Sequence, residues 1–185
     1  MKHALVVGGT GMLSRVSLWL IDNGYHVSII ARDAERMKQL LQEASSESHV
    51  TPLLVDYRNN DELKEEINRA IKENGNIDLV VAWIHSIAEN ALQIIANEVS
   101  KGENSCELFH IVGSSSNLNE IKKKSNAPSD YVHYYQVQLG FKFEDTQSRW
   151  LTNKEISEGV IEAIRKKKKV LIIGQIEPWE NRPHW

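Results

Sequence analysis

Only one cysteine, Cys106, occurs in the 185 residues. Its solitude excludes an intrachain disulfide framework and any zinc site built from several cysteines. No apolar run approaches the ~20 residues that a membrane span needs. The opening stretch, MKHALVVGGTG, has neither the long apolar segment nor the cleavage site of a signal peptide. An excess of one charge is missing too: 22 Lys and Arg face 25 Asp and Glu, for a formal net charge of -3. No global field therefore attracts nucleic acid or an anionic membrane, and neither is expected as a partner. No internal repeat and no dividing linker is found. These absences predict a soluble protein in a reducing, cytoplasmic setting. Residues 1–185 make one domain with one core, too little for a nucleotide-binding domain plus a separate substrate domain.

What is present is globular, with 41% hydrophobic and 25% charged residues. The apolar runs are short and rich in β-branched residues: His3 to Val7, His26 to Ala31, Val50 to Val55, Ile77 to Ala82, Leu108 to Val112 and Val170 to Ile173. Continuous runs of this length suit strands buried on both faces, as in a parallel sheet. Helical stretches separate them. Met12 to Asn23 carries Leu13, Val16 and Leu20. Ala34 to Ser45 carries Met37, Leu40, Leu41 and Ala44 behind an Asp33 N-cap. Leu63, Ile67, Ala70 and Ile71 form a third stripe, and Ala88, Leu92, Ile95, Ala96 and Val99 a fourth. Thr152-Asn-Lys-Glu155 reads as a capping box that opens a last helix with Ile156, Val160, Ile161 and Ile164. The alternation predicts an α/β fold: a Rossmann-like doubly wound parallel sheet with helices on both faces.

The alternation stops after Ser116. Asn117 to Asp130 is polar, with Lys122 to Lys124 and Pro128, and reads as a loop with one short helix. Tyr131 to Phe143 is aromatic and β-branched, which predicts one long strand bent at Gly140. Arg165 and the four lysines after it read as cations at a helix C-terminus, complementing its dipole. Trp150, just before the capping box, reads as a staple for the last helix. Residues 175–185 close the chain with PWENRPHW, a candidate lid or dimer contact, with an unattached tail as the alternative.

Chemistry-bearing residues fall at the C-terminal ends of the predicted strands. The first strand runs into Gly8, Gly9, Thr10, Gly11, Met12, Leu13 and Ser14. Glycines in a strand-to-helix turn let backbone N–H groups approach a pyrophosphate, which then rests on the helix N-terminus. Ser14 stands where the usual third glycine would be. The second strand ends at Arg32, where an NAD-binding chain would carry an acid for the ribose 2′-hydroxyl. A guanidinium there suits a 2′-phosphate, so NADP(H) is expected over NAD(H), with Arg15 and Arg36 able to add to the pocket. The alternative is a surface arginine paired with Asp33 or Glu35. Asp56, ending the third run beside Tyr57, could accept from an adenine amino group or cap the next helix. Ala82, Trp83 and His85 end the fourth strand; Gly113 and Ser114 to Ser116 end the fifth. In open α/β sheets this edge is where ligands bind.

GGTGML, the arginine after the second strand, Asp56-Tyr57 and the serines after the fifth strand together resemble a short-chain dehydrogenase/reductase. The closing RWLTNKEISEGVIEAI and VLIIGQIEPWENRP look like a small, truncated, atypical branch of that family. The resemblance implies cofactor contacts from Gly8 to Leu13, Arg32, Asp56, Tyr57, Ala82, Trp83 and Gly113. It also implies a small-molecule substrate and a homodimer formed through the fourth and fifth helices. Family reductases use a serine, a tyrosine and a lysine four residues after the tyrosine, the lysine lowering the tyrosine's pKa. Here Tyr131, Tyr134 and Tyr135 are followed four on by Tyr135, Gln138 and Leu139, so no tyrosine has its lysine. The family's asparagine after the fourth strand is replaced by Trp83 to His85. The candidate catalytic residues are therefore Ser115, His85 and Tyr134, His85 because imidazole exchanges protons near neutral pH. Two readings result: an NADPH-dependent oxidoreductase reducing a small carbonyl or imine-like substrate, and a non-catalytic NADP(H)-sensing module acting through a protein partner.

Overall fold

A computed structural model describes residues 1–85, 88, 90–124 and 130–183. Pro128, His184 and Trp185, part of the stretches read above, lie outside the described residues. The elements run β1 (Lys2–Val7), α1 (Ser14–Asp22), β2 (Tyr25–Ala31), α2 (Ala34–Glu43), β3 (Val50–Leu54), α3 (Asn60–Asn74) and β4 (Leu79–Trp83). There follow α4 (Ala91–Ser100), β5 (Cys106–Val112), α5 (Leu118–Lys124), β6 (Val132–Leu139), β7 (Phe141–Glu144), β8 (Gln147–Trp150), α6 (Asn153–Lys166) and β9 (Val170–Ile173). Seven strands form one parallel sheet in the order β3-β2-β1-β4-β5-β6-β9. This is the predicted Rossmann-like architecture. Among the described residues no helix is long and apolar enough to cross a membrane.

The apolar runs are continuous because both faces of the sheet are covered. Ala4, Val6, Val27, Ile29, Val81, Phe109 and Val137 pack with residues of α1, α2 and α6 in one cluster. Leu5, Val7, Ile30, Leu53, Val80 and Leu108 pack with residues of α3 and α4 in the other. Asp33 caps α2 as predicted, accepting from the N–H groups of Glu35 and Arg36. The capping box at Thr152 and Glu155 is complete. Strand order reverses between β1, which continues towards β2 and β3, and β4, which continues towards β5. Their adjacent C-terminal ends form the crevice where such sheets bind ligands.

Two expectations need correction. The long strand Tyr131 to Phe143 is two strands: β6 stays in the sheet, while β7 leaves it to pair antiparallel with β8. The break falls at Gly140, whose N–H donates to the Ile173 carbonyl at 2.8 Å while Phe141 and Gln175 exchange two backbone bonds. That exchange also anchors the start of the 175–185 segment, so its root is not an unattached tail. Trp150 does not staple α6; it lies on β8 with its ring edge-on to Phe141. Leu151, the residue directly before the Thr152 cap, packs instead on the cluster that contains Ile156. The basic run stands as predicted, with Arg165 and Lys166 in the last turn of α6 and residues 165–169 all exposed, and some of its cations also meet neighbours. Arg165 lies over the Trp19 ring, Lys169 over the Tyr135 ring, and Lys167 pairs with Glu107 at 3.3 Å.

At the opposite, N-terminal edge of the sheet His3 is 1% exposed. Its Nδ1 donates to the Gly75 carbonyl at 2.8 Å, so Nε2 bears no proton and accepts from the Ser28 hydroxyl at 2.7 Å. Burial holds His3 and His26 below the ordinary histidine value and His110 at about 4. All three are neutral in the fold and charge more readily once unfolded. Their contribution is therefore complete above the ordinary value near 6.5 and is lost as pH falls below it, for His110 down to about 4. For His110 this is up to about 1.4 kcal/mol per pH unit between those two values. Urea unfolding at pH 7.5 and pH 5 should show a lower midpoint at pH 5; equal midpoints would contradict the assignment.

Candidate functional site

The glycine turn sits at the C-terminal end of β1. Gly8 has φ +91, a conformation that glycine adopts without strain. A Cβ on Gly9 would stand 2.7 Å from Ser17 Oγ, 2.9 Å from Ile29 Cγ2 and 3.0 Å from Val6 Cγ1. Gly9 and Ser17 thus supply the close helix–sheet packing, and Ser17 Oγ donates to the Gly9 carbonyl. Within the turn, the Gly8 carbonyl accepts from Gly11 and Leu13. Among the described residues, none accepts a hydrogen bond from the N–H groups of Thr10 or Met12. The N-terminus of α1 has Leu13 at its cap, no side-chain cap and no acid in its first turn. Unpaired backbone donors on a helix N-terminus suit an anion. These residues fit the pyrophosphate of a dinucleotide.

Arginines flank this turn. Arg36 Nη1 comes within 3.6 Å of the position a Gly11 Cβ would take. Arg32, 68% exposed at its side chain, pairs with neither Asp33 nor Glu35, as the surface alternative had it. Its Nη1 lies 3.6 Å from Asp56 Oδ2. Asp56 does not cap α3 either; that cap is Asn59, which accepts from Glu62. Asp56 accepts instead from the Arg58 backbone at 3.0 Å and from its guanidinium at 2.7 to 3.1 Å. Hydrogen bonds from the Arg58 side chain, then from its backbone, hold Asp56 at about 2. Arg58 went unnoticed at the sequence level, although its spacing in Asp56-Tyr57-Arg58 was a readable signal. Arg15 is exposed on α1.

Next to Gly8 stands Trp83, whose Cβ would lie 3.5 Å from a Cβ on that glycine. Ala82 is fully buried in β4 opposite Val7. Tyr57 is half-buried, and its hydroxyl accepts from the His85 N–H at 2.9 Å, joining the loops after β3 and β4. The His85 side chain is exposed. After β5, Gly113 to Ser116 form a turn with a 3.2 Å bond from Ser116 N–H to the Gly113 carbonyl. Gln138, 2% exposed, brings its amide within 3.3 Å of the Gly113 and Ser114 carbonyls and 3.1 Å of the Ser116 carbonyl. It is the internal brace of the serine turn, and its sequence context, the β-branched and aromatic β6, gives no sign of that role. Ser115 is exposed on that turn.

Tyr134 is placed apart from these groups. It pairs opposite Leu108, four positions before the end of β5. Its hydroxyl meets His110 Nδ1 at 2.7 Å and receives the Gln136 amide at 3.3 Å, and Gln136 also donates to the Leu118 carbonyl of α5. This is a link between sheet and helix, well below the ligand edge. On the far side of the glycine turn, Ser157 of α6 donates to the Met12 carbonyl at 3.1 Å. Glu155 of the same helix binds Lys142 and Arg149, both at 2.6 Å, fixing the β7–β8 hairpin over the start of α6.

The family model described as short chain dehydrogenase matches residues 2–88. This match, over just under half of the chain, makes its N-terminal part similar to the short-chain dehydrogenases. The matched stretch runs from β1 to just past His85 and so includes the glycine turn, Arg32, Asp56 and Trp83. Peroxisomal 2,4-dienoyl-CoA reductase SPS19 of Saccharomyces cerevisiae is 30% identical over 149 residues, covering 74% of this chain and 50% of the reductase. The chain therefore spans half the length of the curated relative it matches. A short-chain dehydrogenase/reductase from Serratia marcescens superposes with a TM-score of 0.71 at 15% identity, over 94% of this chain and 96% of that one. An alcohol dehydrogenase from the archaeon Thermococcus sibiricus, solved with 5-hydroxy-NADP, superposes with a TM-score of 0.66 at 14% identity over 100% of both chains. At these identities the two structures establish the short-chain dehydrogenase fold.

Proposed function

We propose that this protein binds NADP(H), in preference to NAD(H), along the C-terminal edge of β1, and reduces a small carbonyl or imine-like substrate. The observation that carries the reading is the glycine turn itself. Thr10 and Met12 present their N–H groups on an uncapped helix start, with Arg36 over Gly11 and Arg32 beside it. Backbone donors hold a pyrophosphate; the guanidiniums add charge where a 2′-phosphate would lie. A bound nicotinamide supplies hydride to the carbonyl carbon, and a proton must reach the oxygen. Ser115 and His85 are exposed protic side chains at that edge. The Gln138 brace positions the first, and the Tyr57–His85 bond positions the backbone of the second. Tyr134, held by His110 in mid-sheet, takes no part.

A sensor without turnover is the second reading. It is favoured by Trp83, whose side chain stands beside Gly8, and by the absence of any tyrosine–lysine pair. Loss of NADPH absorbance across a panel of small aldehydes, ketones and imines distinguishes the two. At least one substrate should consume NADPH, and replacing its proton donor, by Ser115→Ala or His85→Ala, should lower kcat by roughly 10²- to 10⁴-fold. NADPH binding with no consumption on any substrate would reject the enzyme reading and favour the sensor.

A further inference from the structure

Asp56 is shared unequally by two guanidiniums. Arg58 grips it through Nε and Nη2 on both carboxylate oxygens, at 2.7 to 3.1 Å, and adds its backbone N–H. Arg32 approaches the same Oδ2 only to 3.6 Å. Arg36 is in a similar state, 3.6 Å from Asp33 Oδ2 with Nη1 overhanging Gly11. Around the glycine turn there are thus one tight pair and two loosely held guanidiniums. A bidentate guanidinium–carboxylate fork is geometrically satisfied, whereas a single long contact is readily exchanged for a better acceptor. A phosphate dianion is such an acceptor, but an uncompensated carboxylate beside it would repel it and compete for Arg32.

We propose that Arg58 is a positioning residue that sets cofactor specificity: by occupying Asp56 from the side it neutralises that carboxylate and leaves Arg32 available to an adenosine 2′-phosphate. The inference rests on the NADP(H) reading above and extends it to a residue with no direct part in binding the phosphate. Without Arg58, Asp56 would turn its free oxygens to Arg32, closing the long contact into a fork, and would add a negative charge to the pocket. Removing Arg58 should therefore weaken only ligands that carry the 2′-phosphate. Removing the Asp56 charge as well should restore them.

The probes are 2′,5′-ADP and 5′-AMP, which differ in the 2′-phosphate and lack the nicotinamide, titrated calorimetrically into the full chain. Wild type should bind 2′,5′-ADP the more tightly. Arg58→Gln should weaken 2′,5′-ADP by roughly fivefold to thirtyfold and change 5′-AMP by less than about twofold. Arg58→Gln combined with Asp56→Asn should return the preference for 2′,5′-ADP over 5′-AMP to within about threefold of wild type, a ratio from which any adenine contact of Asp56 cancels. The side chains involved are exposed, so thermal unfolding of both variants should match wild type. Unchanged 2′,5′-ADP binding in Arg58→Gln would overturn the proposal. So would a loss that the Asp56→Asn change fails to rescue, since Arg58 would then be touching the phosphate itself. If wild type does not prefer 2′,5′-ADP over 5′-AMP, the 2′-phosphate reading fails at its root, a result distinct from the other two.

Discussion

Gly140→Ala is expected to destabilise the protein by about 3 kcal/mol, lowering Tm by roughly 6 to 12 °C for a chain of this size. A Cβ at Gly140 would collide with the carbonyl oxygen of Gln175 and stand 2.9 Å from that of Ile173. Both are backbone atoms, unable to rotate aside as the end of a side chain would. They belong to the contacts that close the structure: Gly140 N–H to the Ile173 carbonyl, and the two bonds exchanged between Phe141 and Gln175. Relief would require β9 and the segment after it to move away from the β6–β7 junction. Because β7 and β8 are tied to α6 through Glu155, and α6 to the glycine turn through Ser157 and Met12, the disturbance would reach the ligand edge. Gly113→Ala provides the control: its nearest neighbour to a new Cβ is Ser116 Oγ at 4.0 Å, and its φ is not left-handed. Calorimetric melting of the two variants checks the argument. Equal melting temperatures would show that the strand break tolerates a side chain and that the close approach is not what sets it.

Arg32→Ala should weaken NADPH by roughly 10- to 100-fold, equivalent to about 1.4 to 2.8 kcal/mol, while NADH changes by less than about twofold. Charge-assisted bonds between a guanidinium and a phosphate are among the stronger ones available, and only NADPH offers the 2′-phosphate. Folding stability should stay within about 0.5 kcal/mol, because the side chain is exposed and its one ion pair is long. Equal weakening of both cofactors would mean that Arg32 acts on a part common to them, such as the adenine or pyrophosphate. Unchanged binding of both would remove Arg32 from the site.

Most of the fold is legible in the residues because a strand buried on both faces needs no knowledge of its partners to be recognised. HALVV, HVSIIA and LFHIV are apolar at nearly every position, and each became a strand within a residue or two of the expected bounds. Caps were equally legible: Asp33 and the Thr152–Glu155 box act within a single turn, so local sequence decides them. Gly140 shows where this stops. The residues before and after it share one aromatic, β-branched pattern, and the break depends on Gln175, which is distant in the chain. Trp150 was misread for a related reason. Its place on a hairpin opposite Phe141 leaves Leu151 as the residue that meets the core before the cap.

The site divides along the same line. The glycine turn and Arg32 follow from their positions at strand ends. The partner of Arg32 does not, because Asp56 approaches it from the end of the neighbouring strand β3, far off in the chain, and is already held by Arg58. Tyr134 looked equivalent to other tyrosines until the register placed it opposite Leu108, four positions short of the ligand edge. The proton donor is the least legible part. The family's usual tyrosine–lysine spacing is missing, and Ser115 and His85 are nominated by location rather than by a motif.

The most direct test of the account is calorimetric titration of the intact wild-type chain with NADPH and with NADH under identical salt. Saturable one-site NADPH binding, at least tenfold tighter than NADH, is the predicted result. Binding of neither cofactor would contradict the central claim: the free N–H groups of Thr10 and Met12 would then serve another anion or none. NADH binding as tight as NADPH would leave the glycine turn in place but refute the role given to Arg32.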